Sequence, residues 1–165
     1  MFTNRYDAGV RLGKELISRH LTADFIVGLA RGGVVVSSAL SSALHISHGM
    51  LVVKKIGSPG NPELATGAIV PDGQRLDVRG KDIILTDDGA ATGATIEAAI
   101  RWVRGHGVKK IIVALPVAPP DVVHTLQTLT DDVIVLEKPD NFEAVGQFYR
   151  DFTQVTDEDV VQLLS

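Results

Sequence analysis

"DIILTDDGAATGATIEAAIRWV", residues Asp82 to Val103, contains the change of period that decides the fold. Ile83 to Thr86 form a short apolar run without alternation, the pattern of a strand covered on both faces in a parallel sheet. Ile96, Ile100 and Val103 then recur at helical spacing, so the loop from Asp88 to Thr95 joins a strand end to a helix start. The first N–H groups of such a helix lack intrahelical partners and can receive an anion. Two adjacent carboxylates, Asp87 and Asp88, stand where the strand leaves the sheet. They can accept hydrogen bonds from vicinal hydroxyls or help hold a hydrated Mg²⁺. The loop after them adds backbone N–H groups, the hydroxyls of Thr92 and Thr95, and the open backbone of Gly89 and Gly93. A diol and a phosphate bound side by side are the outline of a ribose 5-phosphate.

On either side of this stretch, apolar runs at Phe25 to Leu29, Leu51 to Val53, Ile111 to Leu115 and Val133 to Leu136 bring the expected strands to five. Residues 6–20, 33–44, 94–105 and 119–130 read as helices, with Gly105 and Gly107 as stops and Pro119-Pro120 as a start. The alternation predicts right-handed crossovers and an α/β fold: a doubly wound, mainly parallel five-stranded sheet with helices on both faces. Its ligand crevice should lie at the carboxyl ends of the strands. The segment Gly57 to Gly80 is dense in Gly, Pro, Asn and Asp, and reads as a mobile loop, about 57–75, carrying at most a small hairpin.

The 165 residues are 45% hydrophobic, which suits a single domain over 1–165 with its core at about 20–137. There is no cysteine, hence no disulfide framework or thiolate metal site, and no apolar run of signal or membrane length, so a cytoplasmic protein without a membrane partner is expected. A net charge of -4 and the lack of a Lys/Arg-rich block speak against nucleic acid, which needs a basic face.

"IILTDDGAATGAT" resembles the phosphoribosyl pyrophosphate motif of type I phosphoribosyltransferases: apolar strand, two acids, two small residues, then a small-Thr-Gly-x-Thr loop. A Walker A loop is excluded, since no Gly-Lys-Ser/Thr sequence exists. "VGLARGGVVV" places Ala30, Arg31, Gly32 and Gly33 after the first strand, where the glycines free the backbone to wrap an anion, although an ordinary tight βα turn also uses them. In the family the corresponding loop binds pyrophosphate and commonly holds a non-proline cis peptide, here Ala30-Arg31. In "VVKKIG", Lys55 could neutralise a departing pyrophosphate or simply end a strand in solvent. "RYDAGVRLGKEL", "VVKKIGSPGNPELATGAIV", "ALPVAPPD" and "FEAVGQFYRDFTQVTDEDV" extend the resemblance over nearly the whole chain, to a bacterial group of this family.

The resemblance implies transfer of ribose 5-phosphate from phosphoribosyl pyrophosphate, with Mg²⁺, to a small nitrogenous acceptor such as a nucleobase. Asp87 and Asp88 would hold the ribose hydroxyls, with any metal contact through water; Ala91, Thr92, Gly93, Ala94 and Thr95 would fix the 5-phosphate; Ala30 to Gly33 and Lys55 would receive pyrophosphate. Enzymes for 6-oxopurines usually carry an acid where Ala91 stands, so an adenine-type site is implied. Only about a dozen residues separate Val70 from Ile83, fewer than in the bacterial group. The tail, 138–165, corresponds to the family's variable hood, where Phe142, Phe148 and Tyr149 could stack on a base or belong to the core.

His20, His45, His48, His106 and His124 lack metal-ligand spacing and suit helix ends or surface, while Trp102 suits packing. Tyr6, Val10 and Ile17 mark an apolar face on the first helix that fits either the core or a homodimer interface. A regulator that senses phosphoribosyl pyrophosphate without turnover is the alternative function on the same fold.

Overall fold

The computed structural model describes residues 1–58 and 61–165. In chain order the elements are α1 (Arg5–Ser18), β1 (Phe25–Leu29), α2 (Gly32–Leu44), β2 (His48–Leu51), β3 (Lys54–Ser58), β4 (Asn61–Ile69), β5 (Asp82–Thr86), α3 (Ala94–Gly105), β6 (Lys110–Val117), α4 (Pro120–Leu129), β7 (Asp132–Glu137), a 3₁₀ turn (Val145–Phe148) and α5 (Asp157–Leu164). Five strands make a parallel sheet in the order β2-β1-β5-β6-β7, as the alternation of strands and helices predicts.

The apolar runs are explained by burial on both faces. Ile83 and Leu85 of β5 join Ile111, Val113 and Leu115 of β6 in a core under α3 and α4. Ile84, Ile112 and Ala114, offset by one residue, join Leu12, Leu16, Val36 and Leu40 of α1 and α2 on the opposite face. Strand period two thus serves two cores at once, and the one polar side chain buried at the end of β5, Thr86, is satisfied by donating its hydroxyl to the Ala114 carbonyl oxygen at 2.7 Å.

The second sheet strand is displaced from its expected place. Leu51 to Val53 is the apolar run, but the paired residues are His48 to Leu51, opposite Ile26 to Leu29. Pairing register rather than hydropathy sets an edge strand, and His48 and Gly49 hide its first half from a reading based on apolar runs. The segment beyond carries β3 and β4 as an antiparallel hairpin, with Lys55 opposite Ala68. Lys55 therefore sits on this hairpin and not at the end of a sheet strand. Pro59 and Gly60, part of the expected mobile loop, lie outside the described residues.

The buried side of α1 is formed by Ala8, Gly9, Leu12, Gly13 and Leu16, whereas Tyr6 and Ile17 are exposed, so the core is not what their face covers. Glycines let α1 and α2 approach closely: a Cβ on Gly9 would stand 2.6 Å from the Ala39 Cβ and 2.9 Å from the Val36 carbonyl oxygen. Gly9→Val is expected to lower stability by about 1–3 kcal/mol through overpacking. A urea titration reads this as a lower midpoint at constant slope. An unchanged midpoint would show that the helices are not held at this distance.

The tail is held by the chain's first residues. The Phe2 N–H donates to the Phe148 carbonyl (2.8 Å), and the Arg150 N–H donates back to the Phe2 carbonyl (2.9 Å). Phe2, Ala8, Val117 and Tyr149 form a buried cluster against which Phe142, Val145 and Phe148 pack. Of the two alternatives for Phe142, Phe148 and Tyr149, the packing favours the core. Among the described residues, no helix is long and apolar enough to cross a membrane.

Candidate active site

The strand order reverses between β1 and β5, because the chain adds β2 on one side of β1 and returns to place β5 on the other. At such a switch point the loops after the two strands diverge and leave a crevice between them. Here it has a volume of about 380 Å³ and is lined by Leu29, Ala30, Arg31, Gly32, Val53, Lys55, Asp87, Asp88 and Thr95. The acid pair, most of the Ala30 to Gly33 loop, Lys55 and the start of α3 are thus brought together. Gly33 lies beneath the crevice instead of lining it: a Cβ there would stand 2.9 Å from the Thr86 carbonyl oxygen and 3.0 Å from the Asp87 Cα. The Ala30–Arg31 peptide bond, whose state the sequence leaves open, is cis.

The loop from Ala91 to Ala94 leads into α3. Gly93, at φ 83°, is in the left-handed region that glycine enters without strain, and it accepts the Glu97 N–H through its carbonyl (2.9 Å). The Thr92 hydroxyl accepts the Ala94 N–H at 3.3 Å. Ala91 and Thr92 are exposed and do not line the described crevice, whereas Thr95 does.

The two acids differ sharply. Asp87 accepts the Asp88 N–H at 2.8 Å. Burial, then the neighbouring charge of Asp88, raises its carboxyl well above the usual range, with the nearby Lys55 ammonium opposing. Asp88 instead receives the Arg5 Nε at 2.8 Å in a largely buried ion pair, with side chains 11% and 16% exposed. The Tyr149 hydroxyl donates to the Asp88 carbonyl oxygen at 2.7 Å. Burial and the Asp88 charge push that phenol upward, so it stays a donor.

Sequence patterns do not single out Arg5, although one signal is present: a cation in the first turn of a helix opposes the macrodipole and calls for an anion elsewhere.

The histidines lie away from the crevice. His20 and His45 adopt left-handed backbone at helix ends, and the His106 ring stacks on Trp102 at 3.7 Å. His48 is the exception to the expected surface or helix-end role. It is half-buried, with Nδ1 2.9 Å from the Ser37 hydroxyl and Nε2 3.0 Å from the Leu163 carbonyl oxygen. Burial lowers its pKa from the ordinary 6.5, while the Leu163 carbonyl works in the other direction. The folded state thus disfavours the charged ring, and its contribution to stability is present above the ordinary pKa and lost as pH falls below it. Between about pH 7.5 and about pH 5.5 the thermal midpoint is expected to fall more steeply for the unmodified protein than for His48→Gln. Equal slopes would assign the acid sensitivity elsewhere. Among the described residues, no group of three or more His, Cys, Asp or Glu could hold a metal ion.

The geometry can be set beside known proteins. The family model for the phosphoribosyl transferase domain matches residues 4–153. A Mycobacterium tuberculosis H37Rv protein named "Putative phosphoribosyl transferase Rv0571c" is 36% identical over 205 aligned positions, covering 99% of this chain and 46% of that protein. The chain therefore spans about half that relative's length, and the alignment is longer than the chain's own 165 residues, so the relative carries additional residues inside the match. The crystal structure of TT1426 from Thermus thermophilus superposes with a TM-score of 0.86 at 34% identity, covering 99% of this chain and 97% of that one. An adenine phosphoribosyltransferase of Mycobacterium avium is 31% identical over 100 residues, 55% of this chain and 54% of that protein. With a strand-end acid pair facing a glycine loop across the switch point, and a family match that spans both, this chain belongs to the phosphoribosyl transferase family.

Proposed function

We propose that this protein transfers the 5-phosphoribosyl group of phosphoribosyl pyrophosphate to a nitrogenous acceptor of the nucleobase class, in the cytoplasm, and releases pyrophosphate. The observation that carries this reading is the convergence of Asp87, Asp88, Ala30, Arg31, Gly32, Lys55 and Thr95 in one crevice. An acceptor nitrogen attacks the anomeric carbon as the bond to pyrophosphate breaks, and the nitrogen then loses its proton. Positive charge develops on the sugar, and catalysis is mainly positioning and charge stabilisation.

Asp87 and Asp88 hold the ribose hydroxyls beside that charge. Residues Ala91 to Thr95, with the α3 N-terminus, take the 5-phosphate. Ala30 to Gly33 and Lys55 take the pyrophosphate. The adjacent carboxylates supply hard oxygen donors suited to a hydrated Mg²⁺, which would neutralise pyrophosphate charge when bound. Ala91 in place of an acid, together with the similarity to an adenine phosphoribosyltransferase, supports an adenine-type acceptor over a 6-oxopurine.

The test is pyrophosphate release from phosphoribosyl pyrophosphate and Mg²⁺ across a panel of purine and pyrimidine bases, with Asp87→Asn/Asp88→Asn protein as control. Release with a base, lost in the control, is the expected result and names the acceptor. Mg²⁺-dependent binding of intact phosphoribosyl pyrophosphate without release from any base would replace the transferase by a sensor. Absence of binding would overturn the site assignment.

A further inference from the structure

We propose, on the transferase reading above, that Arg5 is a positioning residue for the phosphoribosyl centre: one guanidinium holds the Asp88 carboxylate in place and ties the C-terminal hood to the crevice. Its three faces are each committed. Nε donates to Asp88 Oδ2 at 2.8 Å, Nη1 donates to the Thr153 carbonyl oxygen at 2.7 Å, and the guanidinium carbon lies 3.8 Å from the centroid of the Phe152 ring. Only a planar fork satisfies two acceptors and a ring at once, which a lysine ammonium on the same stem does not.

Helix formation does not explain the placement. Arg5 opens α1, where the free N–H groups already carry positive character, and the helix is capped without it by the Asn4 side chain accepting the Asp7 N–H. A cation there is unfavourable for the helix taken alone. The compensation is tertiary: an acid 83 residues away at the end of β5. The surroundings are shaped to the pair. A Cβ on Gly32 would stand 2.9 Å from Arg5 Nε and closer still to Asp88 Oδ2, so the pyrophosphate loop passes the ion pair with room for hydrogen only. Tyr149, whose ring stacks on Phe152 at 5.1 Å, holds the Asp88 main chain through its hydroxyl.

Acid, hood and pyrophosphate loop therefore meet at one side chain. With Oδ2 taken by Arg5, Oδ1 is the Asp88 oxygen presented to a ribose hydroxyl. An Asp88 carboxylate free to rotate would offer that oxygen only part of the time. The loss then falls on turnover more than on substrate affinity.

The experiment compares Arg5→Ala, Arg5→Lys, Phe152→Leu and Asp88→Asn, alone and as the Arg5→Ala/Asp88→Asn pair, with Arg19→Ala as control. Arg19 pairs with Glu15 on the exposed side of α1, away from the crevice. kcat and KM for phosphoribosyl pyrophosphate are measured per folded molecule, and hydrogen exchange follows the Arg150 and Asp151 amides that bond to Phe2 and Thr3. Expected are a fall in kcat of about 10²-fold for Arg5→Ala with a much smaller change in KM, partial recovery in Arg5→Lys, an intermediate fall in Phe152→Leu, and little further loss when Arg5→Ala is added to Asp88→Asn.

Wild-type kcat in Arg5→Ala, or independent multiplication of the Arg5 and Asp88 effects, would overturn the assignment. So would faster hood exchange with unchanged turnover, which is the signature of a purely structural link. Phe152→Leu leaves the acid and the guanidinium in place and reads the same question if Arg5→Ala does not fold. Wild-type protein that neither binds nor consumes phosphoribosyl pyrophosphate would overturn the transferase reading itself, an outcome distinct from active wild type with an indifferent Arg5.

Discussion

Asp87→Asn protein is expected to fold normally and to lose pyrophosphate release by about 10²–10³-fold, the size of effect seen when one preorganised charge-stabilising group is removed from an active centre. Asparagine keeps the side-chain oxygen that accepts the Asp88 N–H and removes only the charge. That charge is unfavourable in the resting protein, because burial and the adjacent Asp88 both raise the carboxyl well above its usual range. A carboxyl raised on folding costs stability once pH exceeds its ordinary value of 3.8, so at neutral pH the variant should melt at the same temperature as the parent or higher. A more stable protein without activity would mark Asp87 as a residue kept for chemistry at the expense of the fold. Unchanged release would remove Asp87 from the centre, while a lower melting temperature would show that its charge is compensated in a way the Lys55 ammonium alone does not explain.

Gly32→Ala is expected to lower turnover by about 10²-fold with little change in stability, whereas Gly33→Ala is expected to lower both. The two adjacent glycines face different obstacles. A Cβ on Gly32 meets the end of the Asp88 side chain, which can move, but only by leaving Arg5. A Cβ on Gly33 meets main chain at Thr86 and Asp87, so the loop after β1 must lift off β5 and widen the switch point. Overpacking of that kind costs about 1–3 kcal/mol. Gly105→Ala is the control, since a Cβ there meets nothing within 4 Å. Steady-state kinetics with a parallel thermal melt separates the cases. If both variants behaved like the control, the close approach of the two loops would have no bearing on activity.

Much of this architecture is local in the chain. Residues 82–103 contain a strand, its terminal acids, a loop of small residues and threonines and the start of a helix in one contiguous piece, so a change of hydrophobic period exposes them without any knowledge of neighbours. The loop from Ala30 to Gly33 is local in the same way, lying directly between β1 and α2. β2 escapes this kind of reading because its pairing partner, not its own hydropathy, decides where an edge strand begins. The hairpin that carries Lys55 reads as a strand end followed by a loop with at most a small hairpin, because the Gly and Pro content beyond Ile56 outweighs a pairing pattern visible only when the two strands are opposed.

The sheet, the helices on its two faces and the acid pair between two loops are legible in the amino-acid order, because each depends on residues close in the chain whose spacing matches an element's period. How Asp88 is held follows only from the closed fold. Its side chain is bound by Arg5 from the first helical turn and its main chain by Tyr149 from the tail, contacts that span 83 and 61 residues. No periodicity marks such partners: an arginine opening a helix and a tyrosine in an aromatic tail look like solvated and core residues until folding brings both chain ends to the same strand end.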